Sequence, residues 1–298
     1  MPQFGFLSVS TDEFITQIDL ANPERRNALN DELLTELIDA LGQAARESRV
    51  VIIGAQSASG VWCAGFDITA LPTDGSMPDP AIRPFDRALA TVRGLPIPVI
   101  AVVDGGAWGG GCNLALTCDL IVATHEASFA ITPAKLGVAY DTAGIADFLA
   151  ALPVNIAREM FFTGEPVPAA RLERLGVVNA LCDSPASARE AALAMARTIA
   201  SRAPLSLRSI KAEISAQISP VEGADAQLLH MREQAIAGIF DQVEHVHEAG
   251  VAAVIRVGYH RRFVALAELG QPAYFAAMGI GTELLGERKV VPVHCQQQ

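Results

Sequence analysis

The residues best suited to chemistry lie in Asp104-Gly105-Gly106-Ala107-Trp108-Gly109-Gly110-Gly111-Cys112-Asn113. Five glycines fall within seven residues, after the apolar run Val99-Ile100-Ala101-Val102-Val103 and before an apolar stretch from Cys112 to Cys118. The pattern reads as a buried strand, a sharp turn and a short buried helix. Glycine lets a ligand approach main-chain N–H groups, and a helix start leaves its first N–H groups unpaired and partly positive. The stretch can therefore aim main-chain donors at an oxygen that gains negative charge during a reaction. It lacks Gly-Lys-Ser/Thr and the Gly-x-Gly-x-x-Gly spacing, so it is neither a phosphate loop nor a dinucleotide fingerprint. A tight turn with glycines kept for packing is its other reading. A second glycine-marked turn, Ser57 to Ile68, follows the apolar run Val50 to Gly54.

Other reactive groups are scattered. Tyr140 and Asp141 sit on a loop entering a helix, where Asp141 also reads as an N-cap before Thr142-Ala143-Gly144. Arg25 and Arg26 lie in the loop Asn22 to Leu29 and suit either a phosphate or solvent. Of six histidines only His245-x-His247 is closely spaced, and its charged helical context reads as a solvated face, so no metal site is expected. Five cysteines show no Cys-x-x-Cys pair, and three occupy apolar or glycine-rich contexts that suit core thiols.

Those groups must be positioned by the rest of a 298-residue chain that is 51% hydrophobic, enough for a large core. The net charge of -11 argues against nucleic acid or an anionic membrane as partner. No signal peptide or bilayer-length apolar run is apparent, so a cytoplasmic location is expected. Phe6 to Ser10 and Phe14 to Leu20 predict a hairpin, and Asn30 or Asp31 caps a helix to about Arg46. Val50 to Gly54, Val99 to Val103, Asp119 to Ala123 and Ser128 to Ile131 predict strands. Helices are expected near 85–93, 145–151, 156–162, 169–175, 186–200 and 205–216, with a Pro-, Gly- and Asp-rich loop from Leu71 to Pro84. This alternation argues α/β layering. Strands are not expected after about Ala200, giving a core over 1–200 and a helical C-terminal subdomain and tail over 201–298.

Several motifs, in order, carry a resemblance. Cys63-Ala64-Gly65-Phe66-Asp67-Ile68, then Gly109-Gly110-Gly111-Cys112 and Asp119-Leu120-Ile121-Val122-Ala123, resemble the crotonase (enoyl-CoA hydratase/isomerase) superfamily. Asn27-Ala28-Leu29, Phe161 with Thr163-Gly164, Gly176-Val177-Val178 and Ala203-Pro204 fit the same pattern over roughly residues 5–215. The resemblance implies an α/β crotonase (ClpP-like) spiral of ββα units and an acyl-CoA thioester substrate. It also implies a homotrimer or dimer of trimers, assembled through the C-terminal subdomain, and no cofactor beyond the substrate's own coenzyme A. It assigns the N–H groups of Phe66 and Gly110 to the thioester oxygen. It places Ala28, Ala64, Gly65, Asp67 and Ile68 along the CoA path, with Arg25 or Arg26 at a CoA phosphate, and Gly109, Asn113, Thr132 and Pro133 around the acyl group.

The chain also departs from that pattern. Hydratases of the family use two glutamates around one water; here those positions are Asn113 and Pro133, which cannot exchange a proton near neutral pH. Trp108, Thr132 and Tyr140 together resemble the methylmalonyl-CoA decarboxylase branch, in which Tyr140 would hydrogen-bond the departing carboxylate. Phe66 replaces that branch's histidine, and Asp141 replaces a neutral residue. A carboxylate at Asp141 resembles dienoyl-CoA isomerases, where it is a base, or 4-chlorobenzoyl-CoA dehalogenase, where it is a nucleophile. Asp86 falls near the position of the dehalogenase's histidine. A non-catalytic scaffold or RNA-binding relative is the alternative of another class, against which the acidic balance argues.

Overall fold

The computed structural model describes residues 4–57, 60–67, 83–136, 140, 142–218, 230–231, 234, 254–257 and 262–265. Ile68, most of the Leu71–Pro84 loop, Asp141, His245, His247, Cys295 and most of the tail lie outside them.

The chain opens with an antiparallel hairpin of β1 (Leu7–Asp12) and β2 (Ile15–Leu20), Leu7 facing Leu20. Helix α1 (Asp31–Glu47) starts where Asn30 Oδ1 accepts the Leu33 N–H at 2.9 Å. Its stripe Leu33, Leu34, Leu37 and Leu41 is buried, at the helical spacing the sequence shows.

Three strand–strand–helix units follow. They are β3 (Val50–Ala55), β4 (Val61–Cys63) and α2 (Pro84–Gly94); β5 (Val99–Val103), β6 (Gly106–Trp108) and α3 (Gly110–Thr117); and β7 (Leu120–Thr124), β8 (Ser128–Ala130) and α4 (Pro133–Leu136). The chain continues through α5 (Thr142–Ala151), α6 (Val154–Thr163), β9 (Val167–Pro168), α7 (Ala169–Arg174), β10 (Ala180–Cys182), α8 (Pro185–Ala200) and α9 (Pro204–Ile218).

The first strand of each unit joins a six-stranded sheet in the order β1-β2-β3-β5-β7-β10, parallel from β2 onward. The second joins a four-stranded sheet, β4-β6-β8-β9, in which only β8 and β9 run antiparallel. This is the ββα spiral that the motifs imply.

Every residue of β3 and β5 is buried, as a parallel sheet covered on both faces requires. Strand alternation sends Val51, Ile53, Val99 and Ala101 into the main core, while Val50, Ile52, Ile100 and Val102 face α8. Ala188, Ala192 and Ala196 line the buried side of α8 and let it lie close to the sheet.

One ion pair ties α9 to this core. Lys211, 9% exposed, donates to Asp119 Oδ2 at 2.6 Å and to the Ile97 carbonyl at 3.0 Å; Asp119 Oδ2 also accepts the Val99 N–H at 2.7 Å. The pair clamps the entry of β5, the strand that leads to the glycine-rich turn. Asp119→Ala strands a buried ammonium and is expected to destabilise the protein by about 3 kcal/mol. Adding Lys211→Met restores most of that loss. Urea unfolding of both variants checks the prediction, and an unchanged Asp119→Ala midpoint contradicts it.

By internal packing the chain falls into two compact units, Met1–Arg232 and Glu233–Gln298. In the second, β11 (Val254–Val257) pairs antiparallel with β12 (Arg262–Ala265). This corrects the expectation that strands end by Ala200. Val-Ile-Arg-Val and Arg-Phe-Val-Ala favour extended backbone, and four-residue strands carry too short a pattern to read. Among the described residues no helix is long and apolar enough to cross a membrane.

Candidate active site

Two turns built on glycine meet at one point. The first follows β4. Gly65 has φ +90°, a region open chiefly to glycine. Around it Ala64 N–H donates to Arg26 O at 2.9 Å, Leu29 N–H to Gly65 O at 2.8 Å, and Asp67 N–H to Leu29 O at 3.1 Å. Residues 64–67 thus lie as a short parallel bridge beside 26–29, centred on Leu29 and Phe66. Successive N–H groups of an extended segment point to opposite sides. The bonds that Leu29 makes to Gly65 O and to the Asp67 N–H occupy the two groups flanking Phe66, and therefore turn the Phe66 N–H away from that bridge.

The loop that receives these bonds is held by Asn27, a role that sequence reading did not assign. Asn27 is fully buried with φ +53°, which asparagine tolerates better than most residues. Its Nδ2 donates to Trp62 O at 2.9 Å and Gln56 O at 3.2 Å, and its Oδ1 accepts the Asn22 N–H at 2.8 Å.

The second turn joins β6 to α3. Gly109 is the N-cap, with φ +48°, and its N–H is spent on Ala130 O at 2.8 Å. Gly110 is the first helical residue, so its N–H has no partner within the helix. The backbone bonds among the described residues engage neither the Phe66 nor the Gly110 N–H. A methyl on Gly110 would stand 3.1 Å from Phe66 N, and a methyl on Gly65 would stand 3.1 Å from Gly110 N. The Phe66 and Gly110 nitrogens therefore lie close to one another, and glycine at positions 65 and 110 leaves the room beside them unfilled.

Other side chains border this space. A methyl on Gly109 would lie 3.2 Å from Thr132 Oγ1, which puts that hydroxyl against the turn. Pro133 opens α4 directly after it. Asn113 lies one turn into α3 and is fully buried; its Oδ1 is 3.3 Å from Thr117 Oγ1 and its Nδ2 has no partner among the described residues. The Cα–Cβ bond of a helical residue tilts toward the helix N-terminus, the end of α3 at which the Gly109–Gly110 turn lies. Phe85, in the first turn of α2, packs edge-on to Phe66 with centroids 6.0 Å apart. It falls on one stripe with buried Ala88, Leu89 and Val92, so sequence pattern gives it only a core role.

The remaining expected residues divide. Arg25 is 60% exposed and bonds Asp67 Oδ2 at 3.0 Å, tying the two sides of the bridge. Arg26 is exposed, and Ala28 is half-buried between the bridge residues. Tyr140 belongs to an aromatic cluster, edge-on to Phe148 at 5.7 Å and Phe161 at 5.4 Å. Asp86 pairs with Arg83 at 2.5 Å. Cys63, Cys112 and Cys118 are buried free thiols. Burial pushes the Cys63 thiol up to about 12, against a smaller lowering by the Gly65 backbone, so it is no nucleophile at neutral pH. No group of three or more metal-ligating side chains occurs among the described residues.

The family described as enoyl-CoA hydratase/isomerase matches residues 10–253. Methylmalonyl-CoA decarboxylase of Escherichia coli (strain K12) is 31% identical over 212 residues, 71% of this chain and 81% of the relative. The mitochondrial enoyl-CoA hydratase domain-containing protein 2 of Mus musculus is 34% identical over 208 residues, 67% of this chain and 69% of the relative. The crystal structure of a methylmalonyl-CoA decarboxylase complexed with 2S-carboxypropyl-CoA superposes with a TM-score of 0.71 at 28% identity, covering 79% of this chain and 90% of that one.

Proposed function

Because the chain belongs to the enoyl-CoA hydratase/isomerase family of acyl-CoA enzymes, we propose that it decarboxylates a 2-carboxyacyl-CoA thioester of the malonyl or methylmalonyl type. The observation that carries the reading is the pair of unengaged N–H groups, Phe66 and Gly110, close together beside room that glycine leaves unfilled. The likeness to the decarboxylases named above supports the choice of reaction.

In the proposed reaction the thioester oxygen accepts both N–H bonds. The bond from C2 to the carboxylate breaks, its electron pair forms the C1–C2 double bond of an enolate, and carbon dioxide leaves. The enolate's charge sits on the held oxygen, and a proton then adds to C2 to give the shorter acyl-CoA. Each preorganised donor of this kind lowers a barrier by about 3–4 kcal/mol. The step needs little acid–base machinery and, in this reading, no cofactor beyond the coenzyme A of the substrate. Asn113 and Pro133 suit it, since neither repels a substrate carboxylate as a glutamate would. The Tyr140 hydroxyl would orient the leaving carboxylate from a ring held by Phe148 and Phe161. The homotrimer, or dimer of trimers, stays part of the proposal. The exposed stripe Ile210, Ile214 and Ile218 on α9 offers such an assembly an apolar surface. A cytoplasmic location is likewise proposed, in line with the free thiols of the described cysteines.

A product screen by mass spectrometry tests the reading with malonyl-, methylmalonyl-, crotonyl- and dienoyl-CoA. Loss of carbon dioxide from a 2-carboxy thioester is expected. Hydration of crotonyl-CoA is expected far below an ordinary turnover of about 10 per second, because both glutamate positions lack an acid. Tyr140→Phe should slow decarboxylation, while Asp141→Asn should be tolerated. Abolished turnover in a folded, CoA-binding Asp141→Asn protein would instead assign Asp141 as base or nucleophile.

A further inference from the structure

We propose that Phe85 is the residue that sets acyl-chain length, its ring forming the wall that admits only short acyl groups beside the two N–H donors. The proposal rests on the acyl-CoA reading above and goes beyond it by naming the size class of the substrate.

Two observations place the ring. A methyl on Gly110 would lie 2.9 Å from Phe85 Cε2 and 3.2 Å from Phe85 Cζ, while standing 3.1 Å from Phe66 N. Independently, the Phe85 and Phe66 rings meet edge to face at 6.0 Å and 72°. The edge of Phe85 thus borders the same small space as both donors. Phe85 is also anchored: it packs against the main core from the first turn of α2, where Pro84 fixes the helix start. A ring so held cannot swing aside at little cost. In this proposal an acyl chain whose carbonyl oxygen reaches both N–H groups runs along this edge, and each added methylene would need room that the ring occupies.

The ring contributes a second effect. The edge of a phenyl group carries partial positive charge, and a phenyl excludes water. Phe85 therefore keeps the donors dry on its side, where each hydrogen bond to a developing oxyanion is stronger. A truncated side chain enlarges the site and wets it at once.

The test measures calorimetric binding of acetyl-, butyryl-, hexanoyl- and octanoyl-CoA to the wild-type chain, Phe85→Ala and Phe85→Leu. The wild type is expected to favour acetyl and butyryl thioesters over octanoyl by tenfold or more. Phe85→Ala should tighten octanoyl-CoA by about tenfold, with Phe85→Leu between the two. A purely structural role would weaken all four thioesters together and leave their ratio unchanged; that outcome overturns the proposal. Should Phe85→Ala fail to fold, the same ratio in Phe85→Leu decides. A wild-type chain that binds none of the thioesters overturns the acyl-CoA reading itself. One that binds them with a ratio insensitive to Phe85 overturns this inference alone.

Discussion

Gly110→Pro is expected to lower turnover by about 10²- to 10³-fold while the protein stays folded and continues to bind coenzyme A. Proline has no N–H, so one of the two donors is deleted. The first position of a helix is where proline is best tolerated, because its N–H would have no helical partner anyway. Gly110 occupies that position in α3. The added ring carbons also enter the space between Phe66 N and the Phe85 edge. Both effects strike the oxygen site, and neither touches the Arg25–Asp67 bridge that borders the proposed CoA path. Circular dichroism and binding of free CoA check the fold; kcat of the reaction found in the product screen reads the loss. Undiminished kcat in a folded variant would remove Gly110 from the chemistry.

Gly65→Ala should be costly for a different reason. Its φ of +90° is one that alanine rarely adopts, and the new methyl would stand 2.5 Å from the Trp108 carbonyl oxygen. That neighbour is backbone, so no rotamer change relieves the contact. Strain and overpacking together are expected to destabilise the protein by about 3 kcal/mol. Relief of the clash must part the two turns, so the Phe66 and Gly110 donors separate and activity falls as well. Gly42→Ala is the control. Gly42 lies inside α1 with nothing within 4 Å of its added methyl, so the change should stabilise by about 0.5–1 kcal/mol. Urea midpoints that move equally in both variants would contradict the account.

Much of the fold was legible because its long elements carry strong periodicity. The leucine stripe and Asn30 cap of α1 and the all-apolar runs of β3 and β5 read directly from the residues. The small sheet was legible only at β8, expected over Ser128 to Ile131. Its strands β4 and β6 are three residues long, and β6 is part of the glycine-rich stretch that reads as a turn. Two-residue alternation cannot be detected over three residues. The glycine turns signalled exposed main-chain donors, and the motif resemblance paired Phe66 with Gly110; the structure brings those turns together. What sequence could not supply was contact across the spiral. Asn27 looked like a loop residue, yet its fixed amide holds the 26–29 loop beside the first turn. Phe85 looked like core because it shares a stripe with Leu89 and Val92. Lys211 sits 92 residues from Asp119, a separation at which no local pattern links two charges.

Polarisation of a thioester carbonyl by the Phe66 and Gly110 N–H groups is read from the vibrational frequency of that carbonyl in bound propionyl-CoA, isolated by a ¹³C label at the thioester carbon. Two converging hydrogen bonds weaken the C=O bond, so the account predicts a band at lower frequency than in water, with Gly110→Pro returning it toward the free value. A carbonyl band unshifted from water, in a protein saturated with propionyl-CoA, would contradict the account.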